Sequence, residues 1–222
     1  MSEKDYELVL VTKNKPSIHY STGDYVHIEP GGNEAWKAEV VEQAAFVERW
    51  LAEEDNSTLQ IIPYVLIYDR HTKEIFSYQR KGGGEKRLEG KYSIGIGGHI
   101  NDEDKFDEQQ ISWDTVFNGA VREVCEEIVV EEENVKTSLH EIGIVFTPSD
   151  DGGKINKPGP LVGEVHIGII YGLPVEHEVS VNETELVNAT FVKYPQNASK
   201  YEKWSQLILS KIDSIRTHLK VY

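Results

Sequence analysis

The chain has 222 residues, of which 39% are hydrophobic and 9% aromatic, so it can bury a packed core and is not a disordered chain. Its net charge of -15 disfavours a nucleic-acid polymer or an anionic membrane as partner. One cysteine excludes an internal disulfide and suits a reducing cytosol. Because the start is polar and acidic and no apolar run reaches membrane-spanning length, we expect a soluble cytoplasmic protein.

The first part of the chain alternates strand and helix patterns. An apolar run at residues 8–12 predicts a strand. Residues 33–53 predict one helix, because Asn33 can cap its start and apolar residues recur at helical spacing. β-branched and aromatic residues at 59–68 and 75–79, joined by a turn, predict a β-hairpin.

The rest of the chain begins with a strand pattern at 92–100 that holds three glycines. Two further strands are predicted at 138–146 and 164–173, on either side of a long loop, and a last one at 190–194. An amphipathic helix at 199–218 is predicted to close the chain. These patterns predict an α+β fold with a mixed sheet and helices on its faces.

Three carboxylates stand at positions i, i+3 and i+4 of a further predicted helix: Glu123, Glu126 and Glu127. This spacing gives them one shared face, and a helical count puts that face opposite an apolar stripe that includes Val124. Three like charges repel each other, and a hard cation such as Mg²⁺ would hold them together. Spacing alone does not separate such a metal site from a solvated acidic face, which is commoner in Glu-rich helices.

The segment at 122–128, Arg-Glu-Val-Cys-Glu-Glu-Ile, resembles the densest part of the signature of the Nudix hydrolase family. That signature reads Gly, five residues, Glu, seven residues, Arg-Glu, aliphatic, any residue, Glu-Glu, any residue, Gly, aliphatic. Gly98 resembles its first glycine, and Asp114 lies eight residues before Arg122, where the signature has its first Glu. The alignment therefore predicts a ten-residue insertion between Gly98 and Asp114. Val129 replaces the closing glycine.

The resemblance implies a fold and a division of the chain. It implies a Nudix-like α/β/α sandwich with a mixed central sheet over residues 56–222. Residues 1–55 are expected to form an N-terminal extension, one strand and one helix, packed on this domain. Such an extension offers a surface for a homodimer.

The resemblance also implies chemistry. Nudix enzymes hydrolyse diphosphate linkages in a nucleoside diphosphate joined to another group, so the expected partner is a small phosphorylated substrate. The expected cofactor is Mg²⁺, with Mn²⁺ as a substitute, bound mainly by Glu126 and Glu127. Glu123 is expected to be a further ligand or to orient water, and the carbonyl of Gly98 to complete the coordination. Arg122 is expected to hold a glutamate through a salt bridge. A bound cation neutralises phosphate oxygens and lowers the pKa of bound water.

The general base and the phosphate contacts are less determined by the sequence. Glu164 is the first candidate for the base, and Glu183 and Glu185 are alternatives; for each, a solvated surface carboxylate is the commoner interpretation. A basic island in the loop at 81–90 either contacts phosphate or consists of plain solvated charges, and the sequence favours neither. The predicted substrate-binding residues are Lys86, Arg87 and Gly97.

Two other functions fit the same fold. Isopentenyl diphosphate isomerase is associated with a catalytic cysteine on a strand, whereas Cys125 lies within the predicted carboxylate helix. A non-catalytic binding or regulatory module usually loses the signature glutamates, and all three are present here. Substrate choice is expected to depend on the loops at 101–113 and 147–160, which carry no recognisable motif.

Overall fold

The computed structural model describes residues 6–13, 23–81, 88–106, 110–150, 159–176, 179–182, 186–193 and 197–219. The strands within this part of the chain are β1 Leu8–Thr12, β2 Tyr25–Ile28, β3 Ala44–Glu48, β4 Leu59–Asp69, β5 Ile75–Arg80, β6 Tyr92–Ser93, β7 Gly95–Ile96, β8 His140–Phe146, β9 His166–Val175 and β10 Leu186–Val192. The helices there are α1 Glu34–Glu42, α2 Arg49–Glu54, α3 Trp113–Glu127, α4 Glu132–Ser138, α5 Lys203–Leu209 and α6 Ile212–His218.

The strands form one mixed sheet around β4, whose eleven residues are all buried. The main order is β10-β5-β4-β9-β8-β2. β4 runs parallel to β9 over its length, from Gln60 opposite His166 to Asp69 opposite Val175. The other pairs in the order are antiparallel. The predicted α+β fold with a mixed sheet is confirmed.

The second edge of β4 meets three different strands in succession. β1 pairs with it at residues 59–60, β7 at residues 65–66, and β5 at Tyr68. Between β1 and β7, at residues 61–64, no strand of the described chain pairs with this edge. The sheet therefore has a gap on this edge, with β1 on one side and β7 on the other.

Helices cover both faces of the sheet. Alternate residues of β4 point to opposite faces, as the pleat of a strand requires: Ile61 and Val65 pack in a cluster with α3, whereas Tyr64 and Leu66 pack in a second cluster with α5 and α6. The structure is thus an α/β/α sandwich. No helix in the described part of the chain is long and apolar enough to cross a membrane.

The single helix predicted at 33–53 is wrong. Asn33 does cap a helix, since its side chain accepts from the Trp36 amide at 3.0 Å, but α1 ends at Glu42 and a strand follows. All five residues of β3 pair with β1 in antiparallel register. Backbone pairing with a distant strand has overridden the local helical pattern. The described part of residues 1–55 thereby joins the main sheet, and the division into extension and domain stays a prediction.

The segments at 199–218 and 92–100 are also less regular than predicted. The closing helix is divided into α5 and α6. The hydroxyl of Ser210 donates to the Leu207 carbonyl at the break, a bond by which serine competes with the helical ladder. The glycine-containing strand is reduced to β6 and β7, and the chain runs on without strand pairing at 97–100.

We expect Gly97→Ala to lower the free energy of unfolding by about 2–3 kcal/mol, the usual cost of overpacking. A Cβ at this position would overlap the carbonyl oxygen of Pro63 in β4, and a backbone atom cannot turn away. Gly23→Ala is the control, because its Cβ would meet nothing within 4 Å. Urea unfolding of both variants measures the difference, and equal stabilities would contradict the close approach of Gly97 to β4.

Candidate active site

The carboxylate helix is α3, and its sequence sets its position on the sheet. Ser112 begins it with a capping box in which Thr115 takes the third position. The stripe that includes Val116, Ala120 and Val124 is buried against the sheet. The opposite face carries Arg122, Glu123 and Glu126, which line a cavity beside β4.

Arg122 is the most heavily bonded side chain of this face. Its Nε and Nη2 atoms donate to the two oxygens of Asp104 at 2.8 and 3.0 Å, and Nη2 also donates to the His99 carbonyl at 2.8 Å. Its Nη1 atom donates to Glu123 at 2.9 Å and to Glu126 at 3.1 Å. Burial lowers the pKa of the guanidinium, but the bond to Asp104 and the charges of Glu123 and Asp104 outweigh burial and raise it. Arg122 is therefore fixed as a cation between two glutamates.

Asp104, and not Asp114, occupies the position of the first acidic residue of the signature. Five residues separate Gly98 from Asp104, which is the signature spacing. The predicted insertion therefore lies after Asp104, between it and Arg122, rather than before the acidic residue. Asp114 is exposed in the first turn of α3. The missed signal was the spacing from Gly98, because the prediction counted back from Arg122 instead.

Two glycines bring the backbone close to the helix and the sheet. A Cβ on Gly98 would lie 2.5 Å from both carboxylate oxygens of Glu123, so a side chain at this position would displace that carboxylate. Gly97 lies against Pro63. The Glu123 side chain is only 13% exposed, and burial raises its pKa to about 7 against the opposing charge of Arg122.

The other two glutamates have different surroundings. Glu126 is 54% exposed and lines the cavity beside the helix. Glu127 is not among the lining residues and lies near Tyr78, where burial raises the pKa of the phenol and the Glu127 charge raises it further. Within the described ranges, no group of three or more His, Cys, Asp and Glu side chains is arranged to hold a metal ion. The donor set fits a hard cation in kind, since it consists of carboxylate oxygens beside a glycine.

These residues border a cavity of about 590 Å³, a size usual for small-molecule sites. It lies in the gap beside β4, with Ile62 and Tyr64 on its wall. Gly98, Glu123 and Glu126 line it together. The site thus combines carboxylates, a glycine and a fixed arginine in a concave space large enough for a phosphorylated small molecule.

Two histidines that sequence reasoning did not select for catalysis also line the cavity. The rings of His99 and His166 stand edge to face, with centroids 5.8 Å apart. His166 Nδ1 donates to the Val162 carbonyl at 2.7 Å, and His99 Nε2 bonds the Gln60 amide oxygen at 2.9 Å. The two imidazoles are therefore held in place by the backbone and by a buried amide.

A buried carboxylate at the far wall was also missed. Glu202 accepts from the Tyr64 hydroxyl at 2.5 Å and from the Trp204 and Ser205 amides at 2.7 and 2.8 Å. Burial, with the Glu202 charge, raises the pKa of Tyr64. The signal in the sequence was an acidic residue directly before a helix, a typical N-cap position. Glu202 therefore fixes the start of α5 against β4.

The remaining predicted residues do not join the cavity. Glu164 is absent from the described lining, and its carboxylate accepts from the Leu161 amide at 2.8 Å at the start of a short 3₁₀ helix. That bond explains why the side chain folds back onto its own loop. Four predicted residues lie outside the described part of the chain: Lys86, Arg87, Glu183 and Glu185.

Sequence similarity to a known protein shows the family of this chain. The chain is 34% identical over 189 residues to protein YmaB of Bacillus subtilis (strain 168), and the alignment covers 79% of this chain and 84% of YmaB. The chain belongs to the YmaB family. No family model matches it.

Solved structures identify the fold. Tm1382, a candidate Nudix hydrolase, superposes with a TM-score of 0.62 at 22% identity, over 95% of this chain and 100% of that chain. This member of the YmaB family therefore has the Nudix fold, and the resemblance seen in the sequence is confirmed at the level of the fold. The NUDIX domain of Shewanella oneidensis NrtR, solved with ADP ribose, matches at a TM-score of 0.47 and 11% identity, over 72% of this chain and 88% of that chain. That second match contributes nothing to the assignment.

We expect Asp104→Asn to lower the free energy of unfolding by about 3 kcal/mol, because it removes the buried carboxylate that pairs bidentately with the half-buried Arg122 guanidinium. The Asp104 side chain is 3% exposed. Asp114→Asn is the matched control and is expected to change stability by less than about 0.5 kcal/mol, as surface substitutions do. Chemical denaturation measures both. A larger loss of stability in the Asp114 variant would instead support Asp114 as the first acidic residue of the signature.

As the pH rises from about 5 to about 8, we expect the metal-free wild-type protein to lose free energy of unfolding relative to the Glu123→Gln variant. The expected loss is on the order of 2 kcal/mol. The folded-state pKa of Glu123 is about 7, above its ordinary value of 4.5. A protonated carboxyl therefore stabilises the fold below the ordinary pKa, and this contribution is lost as pH rises through about 7. Urea unfolding across this range measures it. If the wild type and the Glu123→Gln variant depended on pH in the same way, the buried position of Glu123 would be contradicted.

Proposed function

We propose that the chain is a Nudix-type hydrolase that cleaves a diphosphate linkage in a small phosphorylated molecule, of the nucleoside diphosphate-X type or related to it. The observation that carries the proposal is the joint lining of one cavity by Gly98, Glu123 and Glu126, with Arg122 fixed behind them by Asp104. Membership of the Nudix fold supports the same reaction class.

The cation of the proposed reaction is Mg²⁺, with Mn²⁺ as a substitute. Glu123, Glu126 and Glu127 would hold it, with the Gly98 carbonyl as a further oxygen donor. When bound, the cation supplies charge neutralisation of the diphosphate and a water of lowered pKa. Arg122 pairs with both Glu123 and Glu126, which holds the two carboxylates close to each other.

The chain's own groups would perform the remaining tasks. Arg122, held by Asp104, positions Glu123 and Glu126. Gly97 and Gly98 let the backbone approach Pro63 and the Glu123 carboxylate closely. Lys86 and Arg87 are proposed to contact phosphate from their loop. The general base is not assigned to Glu164, because that carboxylate bonds its own loop at Leu161.

A second candidate is a non-catalytic binding module on the same fold. The observation that favours it is the position of Glu127, which is not among the described lining residues. Against it, Glu123 and Glu126 remain on the cavity wall. An isomerase of the isopentenyl diphosphate class is disfavoured, because Cys125 lies on α3 and does not line the cavity.

The composition of the chain supports proposals about its partner and its location in the cell. The net charge of -15 supports a small substrate rather than a nucleic-acid polymer or a membrane as partner. A cytoplasmic location is proposed from the single cysteine. A homodimer formed through the N-terminal residues is a further proposal.

We expect the wild-type protein with Mg²⁺ to release phosphate from at least one nucleoside diphosphate-X compound in a phosphatase-coupled assay. Glu126→Gln and Glu127→Gln are each expected to lower kcat/KM by about a hundredfold or more, since even an outer-shell partner of a metal site is worth up to about a hundredfold. Glu131→Gln is the control, because its side chain is exposed and outside the cavity lining.

Two results would contradict this proposal in different ways. Equal turnover in all three variants would remove the metal site from α3. Absence of turnover on every compound, with binding of one of them retained, would favour the binding module.

A further inference from the structure

The cavity wall holds three arginines among the described residues, and they differ in what they contact. Arg122 is committed to Asp104, Glu123 and Glu126. Arg49 and Arg80 are the other two. The lining also carries several carboxylates, so an anionic substrate needs local positive charge beyond that of Arg122.

Arg49 and Arg80 reach the cavity from opposite sides. Arg80 ends β5, which pairs with β6 and meets β4 at Tyr68, beyond β7, and its guanidinium lies over the Tyr78 ring. Arg49 begins α2 directly after β3, on the side bordered by β1. The glycines and carboxylates of the site line the same cavity as both arginines. A diphosphate centred there would have a guanidinium on each side.

Arg49 is positioned by two glutamates that leave it capable of binding an anion. Its backbone amide donates to the Glu7 carbonyl at 2.8 Å, which anchors α2 to the start of β1. Its side chain pairs with Glu53 at 3.1 Å and Glu7 at 3.6 Å, and these partners are 42% and 30% exposed. The Arg49 side chain is itself only 15% exposed, but its pair with Glu7 is long. A guanidinium also has five N–H donors to share between these glutamates and an anion.

We propose that Arg49 is a substrate-binding residue supplied by the N-terminal part of the chain, and that it binds a phosphate oxygen of the substrate on the side of the cavity opposite Arg80. The inference rests on the proposed function for the class of ligand. Guanidinium groups bind phosphate oxygens through paired N–H donors. Glu7 and Glu53 set the direction of the side chain before the substrate arrives.

Binding of imidodiphosphate, a non-hydrolysable analogue of pyrophosphate, tests the proposal by calorimetry in the presence of Mg²⁺. We expect Arg49→Gln to weaken binding by about tenfold or more, the effect of losing one charge-assisted hydrogen bond. Arg49→Lys is expected to recover part of the lost affinity, because lysine keeps the positive charge but lacks the paired N–H donors of a guanidinium. Arg70→Gln is the matched control: Arg70 also pairs with a glutamate, Glu176, but does not line the cavity.

The outcomes separate a binding role from a structural one. Thermal unfolding of each variant reports whether Arg49 only holds α2 to β1. Weakened binding in a folded Arg49→Gln protein, with Arg70→Gln unchanged, supports the proposal. Binding within about twofold of wild type, or no binding by the wild type itself, overturns it.

Turnover distinguishes this proposal from the hydrolase assignment. If substrates are cleaved, Arg49→Gln should raise KM more than it lowers kcat, since a uniform binding contact is lost. If the wild type binds imidodiphosphate through Arg49 but cleaves nothing, the hydrolase assignment falls and the binding residue stands. A loss confined to kcat would contradict a binding role.

Discussion

The bidentate ion pair between Arg122 and Asp104 is the contact on which the candidate site depends. Asp104 belongs to the segment that leaves the sheet after the glycines, and Arg122 belongs to α3. The pair joins the two elements, and the bond from Arg122 to the His99 carbonyl fixes the backbone between them. Paired charges with this geometry are directional, so the register of α3 against the glycine segment is fixed. That register is what puts Glu123 beside Gly98.

The cavity has a different origin, in the pairing of the central strand. β4 is fully paired with β9 on one edge, whereas β1, β7 and β5 share the other. The gap left at residues 61–64 is lined by α3, the glycine segment and the start of α2. The N-terminal residues therefore shape the site because β1 and β3 belong to the same sheet as β4. The carboxylates thus come from one helix, whereas the rest of the cavity wall comes from other segments of the fold.

The sequence predicted those features that are encoded locally. The carboxylate helix, the hairpin and the glycines are each specified by neighbours within about one or two turns or a single strand. β3 was missed because its pairing partner lies more than thirty residues away, at Leu8–Thr12. Asp104 was missed because the partner of Arg122 depends on the tertiary path after Gly98. Glu202 and Arg49 reach the cavity only through the fold, and no short-range pattern could have placed them there.

The proposed function requires that Glu123, Glu126 and Glu127 bind a divalent cation. Crystals soaked with Mn²⁺ would test this directly through anomalous difference density, since Mn²⁺ accepts the oxygen ligands that Mg²⁺ uses. We expect an anomalous peak within coordination distance of at least two of the three glutamates, with Asp104 still bonded to Arg122. A peak elsewhere, or no peak at saturating Mn²⁺ while Arg122 stays between Glu123 and Glu126, would contradict it.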